Sequence, residues 1–437
     1  MERRGRDMRP AFKPPNRKAD VHILWLKTEL LHPVDKGGRI RTYQMLRHLV
    51  RRHRITYLTL DDGRRASDAV ERATEYCTDL VCIPSRTSIR GTARFYLALA
   101  RNLLSSLPYA VAKYRSTEMR AAIRQLAETD SLDLIVSDFL FPAVNVPDDL
   151  PVPIVLFQHN VEAMIWERHA AVASSPLRRR YLHRQWQCMA AFERAECRRF
   201  DQVIAVSLED ASYFAENYGV RSVSHVPTGV DTSYFRPTGS AERNPDGLVF
   251  TGSMDWMPNE DAVGWFAETV LPLITATAPE ASLQVVGRNP SLAVRSLGER
   301  HPGVRVTGTV PDVRPYLEAA SVFVVPLRVG GGTRLKIFEA MAMGKAIVTT
   351  SVGAEGLPVR HAEHLLIADS PPAFADAVIR LLRDPEYAAT LGARAAELVR
   401  SRFGWEQAAD QFAELCGRTL RHPTSNATNV RAMVHSQ

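Results

Sequence analysis

Short apolar runs alternate with longer helix-patterned segments along most of this chain, and that alternation restricts its fold class more than any other feature. VHILWL at 21–26, ITYLTL at 55–60, DLVCIP at 79–84, DLIVSD at 133–138, PIVLFQ at 153–158, QVIAVS at 202–207 and SVSHVP at 222–227 read as strands. Between them lie helical patterns such as RIRTYQMLRHLVRR, an Arg-rich stretch from Ala66 and a long region through Ala127. Strands alternating with helices predict a parallel sheet with right-handed crossovers. Runs that are apolar almost throughout predict burial on both faces.

The pattern breaks once. Residues 228–245 are polar and rich in proline and glycine, a linker composition. It then restarts with GLVFTG, a helix over about 259–277, SLQVVG, VRVTGTV, a short helix over 314–320, VFVVPL, the helix KIFEAMAMG, AIVTTS and helices through 374–400. The chain therefore divides into a tail (1–19), a first doubly wound domain (20–228), a linker (229–245), a second such domain (246–404), a last helix (405–421) and a terminal tail (422–437). A length of 437 residues agrees with two cores better than one. Sheets of this kind bind ligands beyond the carboxyl ends of their strands.

Composition narrows the function class. With 45% hydrophobic and 24% charged residues the chain is neither disordered nor fibrous. The longest apolar stretch, 95–114, is interrupted by Arg101, Asn102, Pro108 and Lys113, and the first residues lack the apolar run of a secretion signal, so a cytoplasmic location is expected. Five scattered cysteines without a C-x-x-C pair suggest neither disulfides nor a zinc site, and no metal is expected. Of the formal net charge of +7, most sits in the first 18 residues, where seven basic residues face Glu2 and Asp7. No nucleic-acid module follows, so nucleic acid is not an expected partner; the tail is either an attraction to an anionic membrane surface or a solvated extension. The basic stretch 177–200, with Tyr181, Trp186 and Phe192 interleaved, allows the same two readings.

The segment richest in chemistry is VVPLRVGGGTRLKIFEAMAMGKAIVTT, at 324–350. A strand ends, Gly330, Gly331 and Gly332 follow, and a helix starts near Thr333. Glycines permit close backbone approach, and free N–H groups at a helix start hold anions. Arg334 and Lys336 add cations suited to a diphosphate, and Glu339 lies one or two turns on, where a carboxylate could accept two ribose hydroxyls. A Gly-rich surface turn before an amphipathic helix is the plainer alternative.

This segment resembles the donor-binding signature of the GT-B glycosyltransferases of family 4, whose members carry two glutamates eight positions apart. The second coincides with Glu339; the first falls on Gly331, which has no carboxylate. HVPTGVDTSYFRP at 225–237 and LVFTGSMDWMPNEDAV at 248–263 follow the family's order as well, and the similarity covers roughly 21–421. Many relatives place a basic pair on the loop at 253–256; here Ser253, Met254, Asp255 and Trp256 stand there. The resemblance implies two Rossmann-like domains facing a cleft, with the last helix returning to the first domain. It implies a retaining, metal-independent transfer of a sugar from a nucleoside-diphosphate donor, without a cofactor, to a saccharide or lipid-linked acceptor in cell-envelope or exopolysaccharide assembly. It places the base near Thr309 and Val310 and gives Ser253 a donor contact.

In the first domain, Gly37 and Gly38 precede a helix directly after the first strand. On position alone they form a tight turn; the resemblance puts them near the donor phosphate or the acceptor. His159 follows the strand PIVLF, with Asn160 and Glu162 beside it; the resemblance puts this run at the acceptor and His159 near the transferred sugar, whereas position alone also allows a structural histidine. Asp138, ending DLIVSD, is a candidate of the same kind. Ser207 and Asp210 read as a helix cap. Two rivals share these features: a nucleotide-sugar 2-epimerase, and a binding protein without turnover.

Overall fold

A computed structural model describes residues 21–35, 37–85, 91–129, 132–171, 175–239, 241–329 and 335–421. The chain forms two compact units, one running through Val226 and resumed at Ala409, the other from Pro227 to Ala408.

The first unit is built on seven parallel strands, β1 (His22–Lys27), β2 (Arg54–Asp61), β3 (Asp79–Pro84), β4 (Leu134–Asp138), β5 (Ile154–Gln158), β6 (Gln202–Ala205) and β7 (Val223–His225), in the order β3-β2-β1-β4-β5-β6-β7. Its helices are α1 (Gly37–Leu49), α2 (Ala93–Asn102), the single turn α3 (Tyr109–Ala112), α4 (Thr117–Thr129), α5 (Glu162–Ala171), α6 (Pro176–Arg199) and α7 (Leu208–Tyr218). Every residue of β1, β4, β5 and β6 is buried, as their apolar runs predict, while the outer strands β3 and β7 are half-buried. The strand order reverses direction between β1 and β4, which pair through Ile23 with Leu134 and Leu26 with Ser137. The side chains at the carboxyl ends of these two strands therefore become neighbours.

The second unit repeats the plan with six parallel strands in the order β10-β9-β8-β11-β12-β13. They are β8 (Asn244–Thr251), β9 (Ser282–Val286), β10 (Val304–Gly308), β11 (Ala320–Val325), β12 (Ala346–Thr349) and β13 (Leu366–Ile367). The helices are α8 (Met257–Trp265), α9 (Leu271–Thr275), α10 (Leu292–Arg300), α11 (Arg314–Ala319), α12 (Leu335–Ala342), α13 (Ser351–Ala354), α14 (Pro371–Arg383) and α15 (Pro385–Arg402). The proline-rich segment after Val226 belongs to this unit: Val230 N–H donates to Phe403 O at 2.7 Å, and a Cβ on Gly229 would meet Trp405 at 2.8 Å. The last helix, α16 (Trp405–Arg421), passes from the second unit into the first, where Phe412 packs 5.5 Å from Trp25 and 5.0 Å from Phe157.

Three expected helices differ. The Arg-rich stretch from Ala66 yields only a 3-10 turn at Glu71–Glu75. The long region through Ala127 is divided into α2, α3 and α4, since Pro108 cannot continue a helix. The helix expected over 259–277 is interrupted by a π turn at Phe266–Val270, just before Pro272, whose missing N–H removes one rung of the ladder.

Candidate active site

In the first unit the reversal point gathers a buried polar group. Lys27 closes β1 and Asp138 closes β4, and Lys27 Nζ stands 2.9 Å from Asp138 Oδ2 with both side chains buried. The same oxygen accepts from Trp25 Nε1 at 2.9 Å and from Thr42 Oγ1 of α1 at 2.6 Å. His159, the residue after β5, puts Nε2 2.8 Å from Asp138 Oδ1. Lys27 and His159 hold the Asp138 carboxyl well below its ordinary range against the burial that would raise it. Burial pushes His159 down to about 3, so the ring is neutral at physiological pH. Nε2 and Oδ1 approach closely without hydrogen-bond alignment, and Nδ1 meets no hydrogen-bond partner among the described residues either.

His159 is less accessible than its place after the strand suggests. It is fully buried, its ring 3.8 Å from that of Phe139 and 4.7 Å from that of Phe157. Phe139 covers it in a left-handed backbone conformation, φ 73°, which is uncommon for a bulky residue. Its ring also covers Lys27 Nζ at 4.3 Å. A Cβ on Gly38 would come 3.0 Å from Phe139 Cζ, so this glycine leaves space for the ring. Gly37 is exposed at the start of α1. Asn160 precedes α5 and Glu162 opens it. Glu162, buried and pushed up to about 7, is 3.5 Å from Asn160 Nδ2. Ser207 caps α7 by accepting from Asp210 N–H at 3.0 Å.

In the second unit Gly330, Gly331, Gly332, Thr333 and Arg334 lie outside the described residues; Lys336 and Glu339 stand on α12. Lys336 Nζ donates to Asn259 Oδ1 at 2.8 Å and sits 4.0 Å over the Phe250 ring. Asn259 Nδ2 in turn donates to Ser253 O at 2.8 Å. A Cβ on Gly252 would stand 2.7 Å from Lys336 Nζ, and one on Gly287 would run into the Gly252 carbonyl. These glycines let the ends of β8 and β9 approach each other and the lysine. Gly287 N–H donates to Gly308 O at 3.2 Å, so the exposed Thr309 and half-buried Val310 continue the same row of strand ends. Burial pushes the Glu339 carboxyl up to about 7, with Lys336 opposing.

Sequence reasoning missed one cation. Arg288, immediately after β9, donates from Nε to Ser253 Oγ at 2.9 Å, and Ser253 Oγ is 2.5 Å from Asp255 Oδ1. A positive charge thus reaches the loop that lacks its own basic residues, delivered by the adjacent strand. Its signal was the arginine directly after the strand SLQVVG.

Comparison with known proteins agrees with this architecture. Residues 36–234 match the family model "Glycosyltransferase Family 4", and residues 245–384 match "Glycosyl transferases group 1". A GDP-mannose-dependent alpha-(1-6)-phosphatidylinositol monomannoside mannosyltransferase of Mycobacterium tuberculosis is 29% identical over 239 residues, covering 49% of this chain and 61% of the relative. The phosphatidyl-myo-inositol mannosyltransferase of Mycolicibacterium smegmatis is 28% identical over 216 residues, covering 47% and 55%. The chain thus matches about three fifths or less of the length of these two relatives. The solved structure of sucrose-phosphate synthase from Thermosynechococcus elongatus superposes with a TM-score of 0.67 at 19% identity, over 92% of this chain and 99% of that one, and shows the same GT-B fold. With both family models matched in sequence order and two parallel-sheet units beneath them, the chain belongs to the GT-B glycosyltransferases of family 4.

Proposed function

We propose that this chain transfers a hexose from a nucleoside-diphosphate sugar to a saccharide or lipid-linked acceptor in cell-envelope or exopolysaccharide assembly. The observation that carries the donor site is the convergence of Lys336 and Arg288 on Ser253, one through Asn259 and one directly. Two cations held beside strand ends with close-packed glycines suit a diphosphate. Arg334 of the motif adds a third charge in sequence. Glu339 takes the ribose hydroxyls, and Thr309 and Val310 lie where a base would stack or bond. Mannose on guanosine diphosphate is the favoured donor, because relatives matching up to half of the chain are named for it.

In the transfer the bond from sugar C1 to the diphosphate oxygen breaks and one from C1 to the acceptor oxygen forms. The acceptor proton leaves with the diphosphate, so no separate general base is required. Preorganised cations stabilise the negative charge as it develops on the leaving group. The family resemblance supports a retaining course through an oxocarbenium-like state, and the cations named supply the charge a metal would otherwise bring. In the first unit Asp138 and Lys27 fix the neutral His159 at the acceptor side.

A thermal-shift panel of nucleotide-sugars, followed by free-nucleotide release in the presence of a lipid extract, tests this reading. The expected outcome is stabilisation by one donor with release of its nucleotide, both lost in Lys336→Ala and Glu339→Ala variants that still fold. Stabilisation without release under any acceptor would point instead to a binding protein, and a changed sugar still attached to its nucleotide would point to an epimerase.

A further inference from the structure

We propose that α2, the turn after it and the first half of α6 form a single patch that docks on an anionic lipid bilayer. Two stretches of sequence make it. Residues 91–117 contain Arg94, Arg101, Lys113 and Arg115 and no acidic residue; residues 176–192 contain Arg178, Arg179, Arg180 and Arg184, again with none. Although some 75 positions apart, they are joined in the fold. Arg184 Nη2 donates to Leu103 O at 2.7 Å and to Ser105 O at 3.0 Å, Gln185 Nε2 donates to Asn102 Oδ1 at 3.1 Å, and Tyr109 N–H donates to Gln185 Oε1 at 2.7 Å.

The joined surface is apolar as well as basic. Leu104 is 94% exposed, Leu177 83%, Tyr96 61% and Leu97 59%, with Leu103 also exposed. These are five of the thirteen large apolar side chains exposed among the described residues. Single exposed leucines are ordinary on a soluble surface, but a cluster on two stretches that carry basic and no acidic residues marks an interaction site. The ten residues of α2 are too few to cross a bilayer, and no described helix is long and apolar enough to do so. Leucines and a tyrosine seated at the acyl boundary, with arginines reaching the headgroups, is the arrangement of a helix lying in the interface. Arg179, Arg180, His183 and Trp186 also line an open groove of about 510 Å³ against α5, where an anionic headgroup has space; Glu167 is the one acidic residue in that lining.

A second copy of this chain fits the patch poorly. Across a two-fold axis the arginines would face their own equivalents, and like charges at close range repel. An anionic leaflet complements both components. Docking deepens the reading of a lipid-linked acceptor, and its test uses neither donor nor acceptor, so each can fail without the other.

The experiment is vesicle flotation of the full chain with phosphatidylcholine alone and with phosphatidylglycerol added, at low and high salt. The wild-type protein is expected to float with the anionic vesicles, to stay behind with the neutral ones, and to be released by salt. Leu97→Ser, Leu104→Ser and Leu177→Ser combined are expected to lower the partition about tenfold with the melting temperature unchanged, because the apolar insertion is lost while the charge remains. Arg178→Ser, Arg179→Ser and Arg180→Ser combined should lower it too. Equal flotation of both variants and the wild type would overturn the proposal and assign binding to the basic N-terminal segment. Equal flotation with neutral vesicles overturns the anionic requirement. Self-association that the leucine variant abolishes, with no flotation of the wild type, replaces the bilayer by a second copy.

Discussion

Asp138 has Lys27, Thr42 and Trp25 on one oxygen, and His159 Nε2 lies 2.8 Å from the other. Removing one partner of a buried ion pair leaves the other charge uncompensated, which costs about 3–5 kcal/mol. Asp138→Ala is therefore expected to destabilise the first unit by that amount in chemical unfolding, and Lys27→Met on the same background should restore part of it. A cost below about 1 kcal/mol would show that the lysine is not held as a charge. Asp138 was identifiable in sequence as a polar end to an apolar run, but its partner was not. Lys27 lies over a hundred positions earlier and becomes its neighbour only because β1 and β4 pair across a long crossover. Arg288 was missed for the same reason, since the charge missing from one loop is supplied by the next strand. Glu339 yields a prediction of another kind. Its carboxyl is pushed up to about 7, and only the ionised form accepts two ribose hydroxyls. Below that pH the group carries its proton, so nucleotide affinity should rise between about pH 6 and pH 8. Calorimetric titration across that range should show the slope in the wild type and none in Glu339→Gln; a slope that survives the substitution would remove Glu339 from the donor site.

One helix holds the start of another in the first unit. Glu193 of α6 accepts from the Glu162 and Ala163 N–H groups at 2.8 and 3.0 Å, thereby capping α5, and also from Gln158 Nε2 at 3.1 Å and Tyr218 Oη at 2.9 Å. A carboxyl oxygen at a helix start satisfies orphan N–H donors; burial pushes Glu193 up to about 8, and the N–H groups of Glu162 and Ala163 and the Tyr218 hydroxyl oppose that rise. Glu193→Ala strands these donors and should cost roughly 2–4 kcal/mol. Urea unfolding checks the magnitude, and hydrogen exchange should show the first turn of α5 losing protection before α6 does. Unchanged exchange at Glu162 and Ala163 would mean that the cap contributes nothing. No sequence rule reveals such a cap, because its donor and acceptor are thirty positions apart. Elements whose signal is local were legible: the buried strands follow their apolar runs, and α16 begins and ends at the expected residues. Two of the three helix failures came where proline acts within an otherwise periodic stretch. Pro108 and Pro272 each break a pattern that hydrophobic spacing alone would continue.

Each unit has a core of its own, built on its own sheet, so a ligand held by one acts first on that one. The residues proposed for the donor site, Ser253, Arg288, Lys336 and Glu339, all belong to the second unit, while Lys27, Asp138 and His159 belong to the first. A ligand that binds only the folded form stabilises it by RT ln(1 + [L]/Kd), about 2.7 kcal/mol at a hundredfold excess over Kd. Nucleoside diphosphate without sugar or acceptor is therefore expected to slow hydrogen exchange most at 252–259, 287–289, 309–310 and along α12. Amides around Lys27, Asp138 and His159 should change little. Arg288→Ala should weaken that protection about tenfold in ligand concentration, as the loss of one charge-assisted contact predicts, while Arg295→Ala, on the helix beyond the same loop, should not. Protection confined to the first unit would move the donor site there and leave the glycines at 252 and 287 with only a packing role. Protection in the second unit that Arg288→Ala leaves untouched would keep the site and return the missing charge to α12 alone.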